Sequence, residues 1–154
     1  MTWLYDLITK RFLMTGITSW AIAQILKTII YWIINKKLDL WRIVGDGGMP
    51  SGHSATVASV ATVSALVYGL ASFEFAIAGL LAIIVCHDAT GVRQETGKQA
   101  VILNQLTELI EKISDEKLSD EVKLKEFVGH TMTQVIAGVL LGITNALILY
   151  YFVF

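Results

Sequence analysis

Four stretches of this chain carry almost no charge and approach the length a bilayer crossing requires, roughly 20 apolar residues per helix. They are Phe12–Ile34, interrupted only by Lys27, then Ser51–Ala71, the shorter Phe73–Ala89, and the wholly uncharged Thr131–Phe154. One turn-like break near Ser72 separates the second and third, which predicts a tight antiparallel hairpin. Small residues recur at helix-packing spacing, Gly138 with Gly142 in the last span and Ala78 with Ala82 in the third. Such positions let helix backbones approach closely in lipid. Between the third and fourth spans, Gln99–Ile113 places Ile102, Leu103, Leu106, Leu109, Ile110 and Ile113 on one helical face. That segment is too short and too polar to cross. It predicts a helix lying on the membrane or capping the bundle, followed over Ser114–Glu126 by solvated helix or turn. The pattern gives an all-α fold: one membrane-embedded domain over residues 1–154, a helical bundle of about four transmembrane helices plus an amphipathic helix.

Composition narrows the class. The chain of 154 residues is 55% hydrophobic and 16% charged, whereas soluble domains carry about 25% charged residues. A soluble domain is excluded on that ground. The net charge of −1 gives no sign of a nucleic-acid partner, and Cys86, the single cysteine, forms no internal disulfide. The first apolar stretch is too long for a cleavable signal peptide and contains Lys27. If the amphipathic segment does not cross, Lys36, Lys37, Arg42, Arg93, Lys98, Lys112, Lys117, Lys123 and Lys125 share one side, facing only Lys10 and Arg11 on the other. The positive-inside rule then predicts a cytoplasmic crowded side, in the plasma membrane of a prokaryote, with both termini outside.

The candidate chemistry lies on that crowded side. The loop from Gly45 through Ser54 holds four of the twelve glycines and the only proline, Pro50, and runs into the second span. A glycine-rich helix start with a serine is a ready anion site, although glycine content alone fits a plain tight turn better. His53 shifts the balance, because ionisable groups inside membrane helices are rare and usually functional. His130 opens the fourth span in the same way. Either histidine alone fits an interfacial hydrogen-bonding role as well as catalysis; the pair, beside a glycine loop and several cations, favours phosphoryl transfer. One imidazole attacks phosphorus, the other protonates the leaving oxygen, and cations with backbone N–H groups stabilise the phosphoryl oxygens.

The motifs Gly48-Met49-Pro50-Ser51-Gly52-His53-Ser54-Ala55, His87-Asp88-Ala89-Thr90-Gly91-Val92-Arg93, Gly97-Lys98-Gln99-Ala100-Val101-Ile102-Leu103-Asn104 and Leu124-Lys125-Glu126-Phe127-Val128-Gly129-His130-Thr131 resemble the divergent branch of the type 2 phosphatidic acid phosphatase superfamily. Ala23-Gln24-Ile25-Leu26-Lys27 fits the same branch. The resemblance implies a helical bundle, metal-free chemistry without a cofactor, and a membrane lipid phosphate as substrate. It makes His130 the nucleophile that forms a phosphohistidine, His53 the general acid, and Ser51 and Gly52 contacts to phosphate. Arg93 takes the part of the third-motif arginine, though it lies 37 residues before His130. Arg42 and Lys27 stand in for a first motif that is not present as such, and Lys98 is a further phosphate-side cation.

One departure bears on activity. The family's third motif ends in a carboxylate four residues after the nucleophilic histidine, and here that residue is Gln134. The i, i+4 spacing keeps Gln134 beside His130, where its carbonyl can fix the tautomer without stabilising an imidazolium as an anion would. Asp88 or Glu126 is an alternative accessory carboxylate. The expected function is therefore a lipid-phosphate phosphatase acting on a monoester or diphosphate. A catalytically silent binder of anionic lipid, or a small transporter or scaffold, stands as the alternative. The glycine pair Gly138 and Gly142 also predicts a homodimer.

Overall fold

The computed structural model describes residues 11–37, 47–114, 124 and 129–154. It is all-helical there: α1 Arg11–Asn35, α2 Gly52–Tyr68, α3 Phe73–Thr90, α4 Val92–Ser114 and α5 Met132–Phe152. Among the described residues, three stretches are long and apolar enough to cross a membrane, namely α1, the run from Phe73 to Ile113 whose apolar part is α3, and α5. The predicted second span is the 17-residue α2, about 25 Å long at 1.5 Å per residue. It is the central helix, packed by α1, α3 and α5.

The bundle is inverted relative to a soluble core. Its fully buried side chains are small, with Val63, Thr15, Ser19, Ser51, Ser54 and Ser59 the largest of them, while Ile25, Ile34, Leu80, Ile83 and Leu140 are exposed. Lipid is as apolar as leucine, so close packing and interhelical hydrogen bonds, not burial of large apolar groups, hold such helices together. Asn145 of α5 donates to Thr18 Oγ1 and Ser19 Oγ of α1 at 3.0 and 2.8 Å. The Ser59 hydroxyl of α2 lies 3.3 Å from the Thr15 carbonyl of α1. Phe12 stacks on Tyr68, and Gly52 lies against Trp20 and Gln24, so α1 and α2 are antiparallel. From Ile25 to Asn35, α1 runs on past the start of α2 by about 16 Å.

The closest approach joins α2 to α5. A Cβ on Gly138 would collide with the Ser51 carbonyl oxygen, and one on Gly142 with that of Ala55. Farther along, the Tyr150 hydroxyl donates to the Leu66 carbonyl at 3.3 Å. The order of these contacts makes α2 and α5 parallel. The glycine pair is thus used within the chain.

One boundary differs from the sequence pattern. The amphipathic helix α4 starts at Val92 instead of Gln99, directly after the Gly91 corner. Its first two turns are polar and carry no apolar period from which a helix start could be read. Its apolar face, including Ile102, Leu106 and Ile113, is exposed among the described residues. Asn104 makes paired hydrogen bonds with the backbone N–H and carbonyl of Leu124, both at 3.0 Å.

If the α2–α5 approach sets stability, Gly142→Ala should destabilise the protein by about 1–3 kcal/mol, the usual cost of overpacking. Gly79→Ala on α3, where nothing lies within 4 Å of the added carbon, should be neutral or stabilise by up to about 1 kcal/mol. Thermal unfolding of both variants in one detergent checks the contrast.

Candidate active site

Two parallel helices start at the same end of the bundle, and their caps are tied together. Ser51 caps α2: its Oγ accepts from the Ser54 N–H at 3.3 Å and from the Ser54 hydroxyl at 2.9 Å. Its own N–H donates to the Gln134 carbonyl of α5 at 3.0 Å. Thr131 caps α5 through a capping box with Gln134. Thr131 Oγ1 accepts the Gln134 N–H at 3.4 Å, and Gln134 Oε1 accepts the Thr131 N–H at 3.2 Å.

Gln134 Oε1 also lies 3.1 Å from His130 Nδ1. A backbone N–H can only donate, so the side-chain atom facing Thr131 must be the carbonyl oxygen and not the amide nitrogen. A hydrogen bond from His130 to that oxygen then requires the proton on Nδ1. In the neutral ring this leaves the lone pair on Nε2. The tautomer follows from the bonding pattern, since hydrogens are assigned and not seen.

His130 is fixed from two further directions. Its N–H donates to the Ala89 carbonyl in the last turn of α3 at 2.9 Å. Gly129 before it has φ +89° and lies so close to α4 that a Cβ would overlap the backbone of Arg93 and Gln94. Both facts exclude a side chain at that position. His130 itself is 5% exposed and lines a polar cleft of about 290 Å³ with Gly47, Gly48, Gln94, Lys98 and Gln134. The first turns of α4 and α5 border this cleft, and the glycine loop leading into α2 completes it, an arrangement that suits an anion.

The other predicted residues divide into groups. Lys98 lines the cleft and pairs with Glu95 at 2.7 Å. Ser51 and Gly52 are buried beneath it, Ser51 with its hydroxyl and N–H engaged in the two caps. Arg93 lies at the α3–α4 corner with its backbone against Gly129, and its side chain pairs with Asp88 at 2.7 Å. Asp88, a candidate partner for His130, is therefore engaged with Arg93. Lys27 is 4% exposed, on the turn of α1 after Gln24. Arg42 and Glu126 lie outside the described residues. His53 is at the same end as His130, one residue beyond Gly52, but it lines a second, apolar recess with Trp20 and Val57. Gln94, Gly97 and Val101 of the cleft wall were not foreseen, although with Lys98 they recur at i, i+3, i+4 and i+7 on one helix face. Among the described residues, no three His, Cys, Asp or Glu side chains gather as a metal site needs.

Comparison with known proteins agrees with this architecture. A family model described as "Divergent PAP2 family" matches residues 8–145. The chain is 37% identical over 155 residues to the "Uncharacterized membrane protein YuiD" of Bacillus subtilis (strain 168), covering 96% of this chain and 98% of that one. No solved structure matches the chain.

The tautomer argument has a direct check in ring ¹⁵N NMR of His130 above its titration range. The parent and Gln134→Glu should show the proton held on Nδ1. Gln134→Leu should populate both neutral tautomers and lower stability by about 1 kcal/mol through the lost cap.

Proposed function

Because this chain belongs to the divergent PAP2 family, we propose that it is a membrane phosphatase that removes phosphate from a lipid phosphate through a phosphohistidine on His130. The observation that carries the reading is the His130–Gln134 contact at 3.1 Å, which leaves Nε2 as the nucleophilic nitrogen at the wall of a polar cleft. In the first step His130 Nε2 bonds to phosphorus as the bond from phosphorus to the lipid oxygen breaks. Protonated His53 gives that oxygen its proton, and the lipid alcohol leaves, or a lipid monophosphate when the substrate is a diphosphate. In the second step neutral His53 takes a proton from water as the water oxygen bonds to phosphorus. The nitrogen–phosphorus bond breaks, inorganic phosphate forms, and both histidines regain their starting states.

Lys98 and the backbone N–H groups around the cleft are the proposed phosphate ligands. Ser51 and Gly52 act from below, by fixing where α2 starts. Gln134 supports a slow version of the chemistry, since a neutral carbonyl holds the ring without stabilising positive charge on it. The same residue favours a second reading, a pocket that binds anionic lipid without turning it over. We place the site on the cytoplasmic side of a prokaryotic plasma membrane, as the distribution of basic residues favours.

Phosphate release from a panel of lipid phosphates tests the reading. His130→Ala should abolish turnover and the acid-labile phosphoprotein. His53→Ala should slow alkyl esters by about 10²–10⁴ and nitrophenyl phosphate far less, because only the alkoxide needs a proton to leave. Gln134→Glu should raise turnover. If the parent matches His130→Ala on every substrate yet binds lipid phosphate, the silent binder is the better description.

Orientation has its own measurement. In a Cys86→Ser background, Lys117→Cys should resist an impermeant maleimide in intact cells and react after permeabilisation. Ready labelling of intact cells would reverse the assigned leaflet.

A further inference from the structure

The second recess has a different character from the cleft. It is a groove of about 410 Å³ between α1, α2 and α3, walled by Leu13, Ile17, Val57, Val60 and Val85. Its hydroxyl-bearing side chain, Thr56, donates to the Gly52 carbonyl at 2.9 Å and so offers no proton to a ligand. The groove ends at Phe12 toward one face of the bundle and at Trp20 and His53 toward the other. From Phe12 to Trp20 along α1 is about 12 Å. The proportions fit hydrocarbon chain, and the flanking large side chains such as Leu13 and Ile17 are exposed on the surface that meets lipid.

His53 distinguishes this groove from a mere lipid-facing furrow. It is a titratable group at the end of an otherwise apolar slot. It follows Gly52, which packs on Trp20, and Ser51, whose N–H is bonded to Gln134. The start of α2 is thus a ridge with the polar cleft of His130 on one side and the apolar groove of His53 on the other.

We propose that the groove receives the hydrocarbon chain of the lipid phosphate, with the ester oxygen at His53 and phosphorus on the cleft side of the ridge. The assignment rests on the phosphatase reading for the position of that oxygen. Taking a chain from the bilayer into the groove gains no hydrophobic energy, because both surroundings are apolar. The groove acts by position: a chain seated along α1 and α2 delivers its ester to the one end where a proton donor waits.

The test uses the full chain in phosphatidylcholine nanodiscs with two probes carrying a diazirine near the tail end, a lipid phosphate and a phosphatidylcholine. Mass spectrometry should find adducts on Leu13, Ile17 and Val57 enriched at least about fivefold for the lipid phosphate, a preference of about 1 kcal/mol. Val57→Trp and, on the opposite wall, Ile17→Trp fill the groove without touching the cleft. Each should remove those adducts and lower kcat/KM for a long-chain lipid phosphate about tenfold or more, the scale expected when a reactant is misplaced. Each should lower hydrolysis of a short, water-soluble phosphate ester far less than that of the long-chain substrate.

Equal labelling by the two probes, meaning bulk lipid only, overturns the groove assignment, as does undiminished long-chain turnover in both tryptophan variants. If short esters are hydrolysed but labelling is unselective, the groove fails and the phosphatase reading stands. If labelling is selective but no ester is hydrolysed, the groove stands as a lipid-phosphate site and the phosphatase reading fails.

Discussion

The close approach of α2 to α5 is the constraint from which the site takes its shape. Gly138 and Gly142 let α5 lie directly against the carbonyl oxygens of Ser51 and Ala55. That spacing brings the Ser51 N–H within hydrogen-bonding distance of the Gln134 carbonyl. A methyl group between the helices would push the two caps apart. The loop glycines would then separate from His130, and the ridge between cleft and groove would lose its lower support. In a soluble protein a large apolar core could absorb such a change. Here most of the buried residues are serines, threonines and alanines, which have little volume to rearrange.

Gln134 serves two structural ends at once. It closes the capping box of α5 and holds the Nδ1 proton of His130. A glutamate would do both, and would add a negative charge at a helix start, where the dipole favours it. Glutamine keeps the geometry and omits the charge. The ring is therefore oriented by a neutral group at Nδ1. Asp88, one of the two alternative carboxylates, is drawn to Arg93 across the Gly91 corner.

What the sequence made legible was governed by period. The helices, the hairpin at Ser72 and the pairing of His130 with Gln134 all follow from spacings of 3.6 or four residues, which one helix enforces on itself. The family resemblance likewise rested on local motifs. What it did not reveal involves two elements at once. The Gly138–Gly142 spacing announces a close neighbour but cannot say whose backbone it is. His53 and His130 open helices at the same end, yet on which side of α2 each side chain falls depends on how α1 and α4 pack. The polar stretch from Val92 to Lys98 gives no apolar rhythm, so the part of α4 that walls the cleft was hidden while its amphipathic end was plain.

The parallel pairing of α2 and α5 has a consequence for how the protein is made. Chains emerge N-terminus first, and the hairpin of α2 and α3 can close long before α5 is synthesised. Ser51 must then wait for its partner, because the Gln134 carbonyl belongs to the last helix. An unfinished chain carries the glycine loop, the groove and His53 but no His130. His130 and the backbone carbonyl of Gln134 that locks the two caps arrive together, four residues apart. Premature termination before His130 removes both and leaves the small-residue face of α2 without the helix that packs on it.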